Sequence, residues 1–309
     1  MKHIDGVPLR KLGDENQLSG GQAYNRVVKE LTQLPDNALL TKTLCDPNRC
    51  CGILVMDGKY VAVKGFEQKI PFIYGIDYLT HDIPFGDLFV SEDELSFSVF
   101  FGKLKQLGYQ PRVVIADDRA GLKRALFKVF PHAQLQLCHT HYLENLRRLL
   151  NVRTQERYQQ FFNSLKLHVF LTPKNQQQAV EGLQHVWDKR AKRRQKLENM
   201  LRVINSRRED LFAYLEIPDC PNTTNLIELY NSHLQGRLKS IKGFQSLASA
   251  RVWLNAYLIR RRTKTLTDCK EKFKHLNGHA SLELSIKKQA QWPEVLTKLG
   301  IKKIKYFDN

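Results

Sequence analysis

A mixed α/β fold is predicted by three features of the sequence. Runs of β-branched and aromatic residues cluster between 51 and 80, strand-like runs then alternate with amphipathic helical patterns up to 150, and the stretch between Asn145 and Cys220 has helical periodicity with no strand pattern. The 309 residues are enough for a large core with additions. Their 49 Lys and Arg against 31 Asp and Glu leave a formal charge of +18, which repels itself unless a polyanion is the ordinary partner. Nucleic acid is the leading partner class. No membrane association is expected: no uninterrupted apolar run approaches the roughly 20 residues of a spanning helix, and there is no lipidation motif. The start, MKHIDGVPLRKLG, lacks the apolar core of a signal peptide. Six cysteines, two of them adjacent at Cys50 and Cys51, look unlike a disulfide scaffold, so a reducing cytoplasm is the expected compartment.

The elements follow in order. Val7 to Leu31 reads as two short helices around a polar, Gly-containing turn, the outline of a helix-turn-helix within residues 1–34, although any helical hairpin with a GG turn looks similar. Pro35 to Arg49 is rich in turn formers and reads as a linker over 35–50. From Cys51, apolar runs separated by DGK and FEQK have the spacing of consecutive hairpins, giving three antiparallel strands. SEDELSFSVFFGKLKQLG is a helix opened by Ser91 with Glu94 three residues later, a capping box, and it ends at Gly108. RVVIA is a short buried strand, GLKRALFKVF a helix stopped before Pro131, AQLQLC a strand and THYLENLRRLL a helix.

The order β-β-β-α-β-α-β-α is that of an RNase H-like fold, a three-stranded hairpin sheet extended by two parallel strands. In that topology the first and fourth strands are neighbours, which would bring Asp57, at the end of the first strand, towards Asp117, just after the fourth. Two carboxylates so placed repel unless a divalent cation binds between them, and oxygen ligands on strand ends suit Mg2+. Each acid also has a structural reading. Asp57 precedes Gly58 and DG is a hairpin turn, while Asp117 or Asp118 is a ready cap for the following helix. A third acid is offered by CPNTTNLIELYNSHLQGRLKSIKGF, where Thr224 or Asn225 caps a helix with Glu228 in its first turn; an N-x-x-E capping box explains Glu228 equally well. Arg237, Lys239 and Lys242 follow on the same helix as phosphate-binding cations or as a solvated face.

The stretch DDRAGLKRALFKVFPHAQLQLCHTHYLEN resembles the signature of the Mutator-type transposases, which include bacterial insertion-sequence enzymes and the eukaryotic MULE elements. It carries Asp117, then Gly121 and Leu122, Phe130, Pro131 and Ala133, Cys138, His141 and Asn145. That register selects Asp117 and leaves Asp118 as cap or neighbour. The downstream TTNLIELYNSHLQGRLKSIKGFQSLASA is similar to the block around the family's final catalytic Glu, at Glu228, and MDGKY carries the first Asp, Asp57. The resemblance spans about residues 51 to 262. It implies a DDE recombinase with an RNase H-like core that uses Mg2+ or Mn2+, two ions, to cut double-stranded DNA at the terminal inverted repeats of an element. The exposed 3′-OH is then joined to target DNA. Asp57, Asp117 and Glu228 are then metal ligands, with Asp118, Cys138, His141, Asn145 and Asn225 in supporting places. It further implies action as a homodimer or higher oligomer on DNA, in a nucleoid-associated cytoplasmic location.

The resemblance also organises the rest of the chain. Residues 51–150 are the first part of the core, 151–219 an all-helical insertion, 220–262 the final helices with the third acid and 263–309 a basic C-terminal tail. Within the insertion, WDKRAKRRQKLENMLRVINSRRED offers Arg190, Arg193 and Arg194 to DNA phosphates, and Trp187 either to an unpaired base or to the core. Cys138 and His141 lack the second pair that a four-ligand structural zinc requires, and Cys45, Cys50 and Cys51 read as packing thiols. Relatives carry a longer region before the core for end recognition. The front of this chain is thus expected to be compact, truncated or half of a longer product, and a catalytically silent DNA-binding derivative is the alternative to an active transposase.

Overall fold

The computed structural model describes residues 1–241 and 243–306, which form two compact units. The first comprises 1–111, 120–131 and 226 onwards; the second comprises 112–119 and 132–225. The first unit holds an antiparallel meander in the order β3-β2-β1: β1 (Ile53–Val61), β2 (Ile70–Asp77) and β3 (Phe85–Leu88). The second holds the parallel pair β4 (Val113–Ala116) and β5 (Gln134–Leu137). These five strands with many helices make a mixed α/β protein.

In the first unit β1 does not turn at DGK. It pairs with β2 in unbroken register from Leu54 opposite Asp77 to Val61 opposite Ile70, so Asp57 lies inside the strand, opposite Tyr74. Gly58 is a strand residue and not a turn, paired opposite Ile73, with the Glu92 carboxylate lying over it. The third strand is therefore β3, in the stretch after His81.

The helices of this unit begin with α1 (Leu9–Asn16) and α2 (Gly20–Leu31), joined by three residues, the first of which, Gln17, is left-handed at φ 57°. The segment expected as a linker contains α3 (Asn37–Leu44), because Asp36 caps it at Ala38 N and Leu40 and Leu44 find the core. Helix α4 (Glu94–Gln106) is capped by Asp93, which accepts from Ser96 N at 2.8 Å, and not by Ser91, whose hydroxyl supports Asp93. Helix α5 (Leu122–Val129) packs against α4.

In the second unit β5 leads to α6 (His139–Leu149), and the residues expected as an insertion, 151–219, hold helices and no strand: α7 (Glu156–Leu165), α8 (Gln176–Val186), α9 (Gln195–Ser206) and α10 (Arg208–Leu211). Two of its helices end in wide π turns, Lys166–Leu171 and Trp187–Ala191.

The first unit resumes with α11 (Asn225–Ile241) and the buried α12 (Leu247–Thr263). Residues beyond 263, basic in sequence, fold back through α13 (Ser281–Ser285) and α14 (Glu294–Lys298) and bury Leu276, Leu282, Leu284, Leu296 and Ile301. A basic stretch with apolar residues at these spacings is therefore part of the fold. Arg262 of α12 is its innermost cation. It donates twice to Asp82 at 2.8 Å, to Asn37 Oδ1 and Thr41 Oγ1, and to Cys45 Sγ at 3.0 Å. Among the described residues no helix is long and apolar enough to cross a membrane.

Candidate active site

In the second unit Asp117 sits at the end of β4, where the backbone turns at once: Arg119 N donates to the Asp117 carbonyl at 2.9 Å. Neither acid caps the next helix. The N-cap of α5 is Gly121, at φ 79°, with no side-chain bond, so the carboxylates of Asp117 and Asp118 are turned to other partners. Asp118 pairs with Arg207, at the end of α9.

Asp117 Oδ1 lies 2.7 Å from His141 Nδ1 in the first turn of α6. The same ring nitrogen is 3.3 Å from Cys138 Sγ, and Thr224 closes the group by donating its backbone N–H at 3.3 Å and its hydroxyl at 3.2 Å to that sulfur. The hydrogen bond to Asp117, then that to Cys138, raises the His141 pKa to about 10. Burial alone would push the Cys138 thiol up, but hydrogen bonds from His141 and Thr224 outweigh it and bring it below its ordinary value.

The ligand atoms of Asp117, Cys138 and His141 lie within 4.8 Å of one another. Their spacing is that of a hydrogen-bond network. Two ligands each about 2.0 Å from a tetrahedral zinc stand about 3.3 Å apart, whereas 2.7 Å is a charge-assisted hydrogen bond. His141 and Cys138 thus orient Asp117. The carboxylate keeps its second oxygen as a hard donor of the kind Mg2+ prefers.

In the first unit Asp57 Oδ2 accepts from Asn231 Nδ2 at 2.7 Å, and Asn231 Oδ1 accepts from the buried Tyr74 hydroxyl at 2.9 Å. Glu228 lies in the first turn of α11, three residues before Asn231, so the two share a face of the helix. The Asn231 amide thus ties α11, the helix that carries Glu228, to Asp57 of β1. These contacts add Asn231 and Arg207 to the residues singled out from sequence, and give Thr224, expected there only as a helix cap, a place at the Cys138 sulfur. For Asn231 a signal existed, its i+3 spacing from Glu228; for Arg207 there was none.

The remaining expected residues are more dispersed. Asn145 and Asn225 are exposed. Arg190, Arg193 and Arg194 are exposed within 151–219, with Arg190 bonded to Gln160. Arg237 lies across Gly6, where a Cβ would meet its guanidinium at 2.2 Å, and Lys239 is exposed. Lys242 lies outside the described residues. Trp187 is half-buried with the Arg202 guanidinium 5.7 Å from its ring centre. All six cysteines are free, as packing thiols require.

A family profile described as "Transposase, Mutator family" matches residues 81–265. Two curated proteins are similar, both described as transposase for insertion sequence element IS256 in transposon Tn4001, one from Staphylococcus aureus and one from Enterococcus faecalis. Each is 26% identical over 172 residues, which is 54% of this chain and 43% of the relative. The matched stretch is thus less than half the length of those relatives.

Proposed function

The chain belongs to the Mutator family of transposases, and from that premise we propose that it cuts double-stranded DNA at the ends of an insertion sequence and joins the 3′-OH to target DNA. The reading takes Asp57, Asp117 and Glu228 as a DDE triad on an RNase H-like core. The observation that carries it is the network of Asp117, His141, Cys138 and Thr224: residues from two separate blocks of sequence converge on one partly exposed carboxylate.

Asp57, Asp117 and Glu228 would hold Mg2+ or Mn2+. When bound, two such ions supply positive charge that lowers the pKa of an attacking hydroxyl and stabilises the leaving oxygen of a phosphodiester. The chain's own residues supply direction. His141 fixes Asp117, Asn231 fixes Asp57, and Asn231 is in turn fixed by Tyr74. Arg190, Arg193, Arg194, Arg237 and Lys239 would take DNA phosphates, in keeping with the charge of +18. Work on paired element ends and on target DNA fits a homodimer or higher oligomer, in the nucleoid.

The test is a strand-transfer assay with a labelled element end, a supercoiled target and Mg2+ or Mn2+, run beside Glu228→Gln. Metal-dependent joining that the variant loses supports the triad. Salt-sensitive DNA binding with no cutting or joining would replace it with a silent DNA-binding derivative.

A further inference from the structure

The second unit contains a cavity of about 360 Å³, inside the roughly 300–1,000 Å³ range of small-ligand pockets. It lies between α6, the end of α7 and the loop that carries Asn222 and Thr223. Both of its polar flanks adjoin the Asp117 network. His139 and Thr140 immediately precede His141, and Thr223 immediately precedes Thr224, with the His139 N–H donating to the Asn222 carbonyl at 2.8 Å.

The lining has two kinds of surface. Leu143 with the buried Phe162 and Phe170 supplies apolar surface, and the more solvent-exposed Arg147 and Lys166 supply two cations, with the Glu144 carboxylate also in the lining. Glu144 engages Arg147 only at 3.6 Å and makes its shorter contact, 3.2 Å, with Arg148. Thr140 and the Asn222 amide add donors and acceptors.

Part of the lining comes from the π turn Lys166–Leu171, whose wide loop is closed by Thr172 N donating to the Leu167 carbonyl at 3.0 Å. Such turns are frequent at functional sites. This one is held from behind by α8, where Gly182 lies so close that a Cβ would meet the His168 carbonyl at 2.1 Å. Lys166 and Leu171, at the two ends of the turn, both line the cavity.

An apolar slot with an amide and two cations in its lining matches the parts of one nucleotide: a flat base, its polar edge and its phosphate. We propose that this cavity receives a single nucleotide displaced from the DNA duplex, its base over Leu143 and Phe162 and its phosphate at Arg147 and Lys166. The proposal rests on the DNA-processing reading above and adds to it a place where the helix is opened.

The test compares the chain's affinity, by fluorescence anisotropy, for a fully paired duplex and for the same duplex with one unpaired nucleotide. An unpaired nucleotide has already lost its stacking and pairing, so it should bind about tenfold more tightly. The ratio of the two affinities cancels any general change in attraction for phosphate. Leu143→Trp, which fills the slot, and Leu171→Glu, at a side chain 64% exposed and so tolerant of change, should both bring the ratio to one. Equal affinity of the unaltered chain for both duplexes overturns the proposal, as does a ratio that survives in a folded Leu143→Trp and in Leu171→Glu. Failure to bind either duplex would sink the DNA-processing reading itself, and this proposal with it.

Discussion

Two clusters of nearly the same composition occur in the two units. In the first, Asp82, Cys45, Thr41 and Ser285 surround Arg262; in the second, Asp117, Cys138 and Thr224 surround His141. Each is a carboxylate, a thiol and one or two hydroxyls around one cation. What separates them is water. The Arg262 and Asp82 side chains are 1% and 3% exposed, whereas His141 and Asp117 are 40% and 18% exposed. Burial works against charge at Asp82, yet the Arg262 guanidinium outweighs it and holds the acid below its ordinary range. Both carboxylate oxygens of Asp82 are spent on the fold. The Asp117 cluster orients its carboxylate and leaves it a face to solvent, which chemistry needs and stability does not.

The contrast can be broken most forcefully at Asp82. Asp82→Ala leaves Arg262 charged, sealed and unpaired, and should cost about 4 kcal/mol, read as a fall in the urea midpoint; a cost below about 1 kcal/mol would show that water reaches the cluster. Asp117→Asn should do the opposite. The urea midpoint should move little, while strand transfer falls at least a hundredfold, about 3 kcal/mol in the barrier. A matching loss of stability would make Asp117 a second structural staple.

Two buried histidines, His139 of α6 and His81 of the first unit, sharpen the same comparison by pH. His139, two residues before His141, is buried against Phe170, Phe212 and Tyr214, and burial lowers its pKa to about 4; burial does the same to His81 in the first unit. In the unfolded chain both protonate near 6.5. The unfolded state thus binds more protons between pH 6.5 and about 4, and stability is full above 6.5 and falls through that window. For His139 the loss reaches about 3 kcal/mol. Urea midpoints from pH 7 to pH 4.5 should fall steeply, and less so in His139→Gln. The smallest effect is expected at Asp118. Its pair with Arg207 is 38% exposed on each side, so Asp118→Asn should change stability by less than about 1 kcal/mol and reduce strand transfer far less than Asp117→Asn.

Much of the second unit was legible in the chain. The strands RVVIA and AQLQLC and the helices around them stand where period and punctuation put them. The meander was less so. DGK has the composition of a turn, yet β1 continues through it, because Asp57, Gly58 and Lys59 pair with Tyr74, Ile73 and Phe72 of β2, partners distant in sequence. The caps of α4 and α5 were misassigned for a related reason. At α4 Asp93 takes the place expected of Ser91, and at α5 neither acid caps, because Asp118 is drawn to Arg207 and Asp117 to His141.

The sequence by itself determined the α/β class, the helical character of residues 151–219, the basic character and the blocks that hold Asp57, Asp117, Cys138, His141 and Glu228. These depend on residue type, period and spacing, which are local. The tertiary structure decided that Cys138, His141 and Thr224 converge on Asp117, that Asn231 reaches Asp57, and that Arg262 is sealed against Asp82. Those outcomes depend on which groups lose water together, and burial is a property of the packed chain that no local pattern carries.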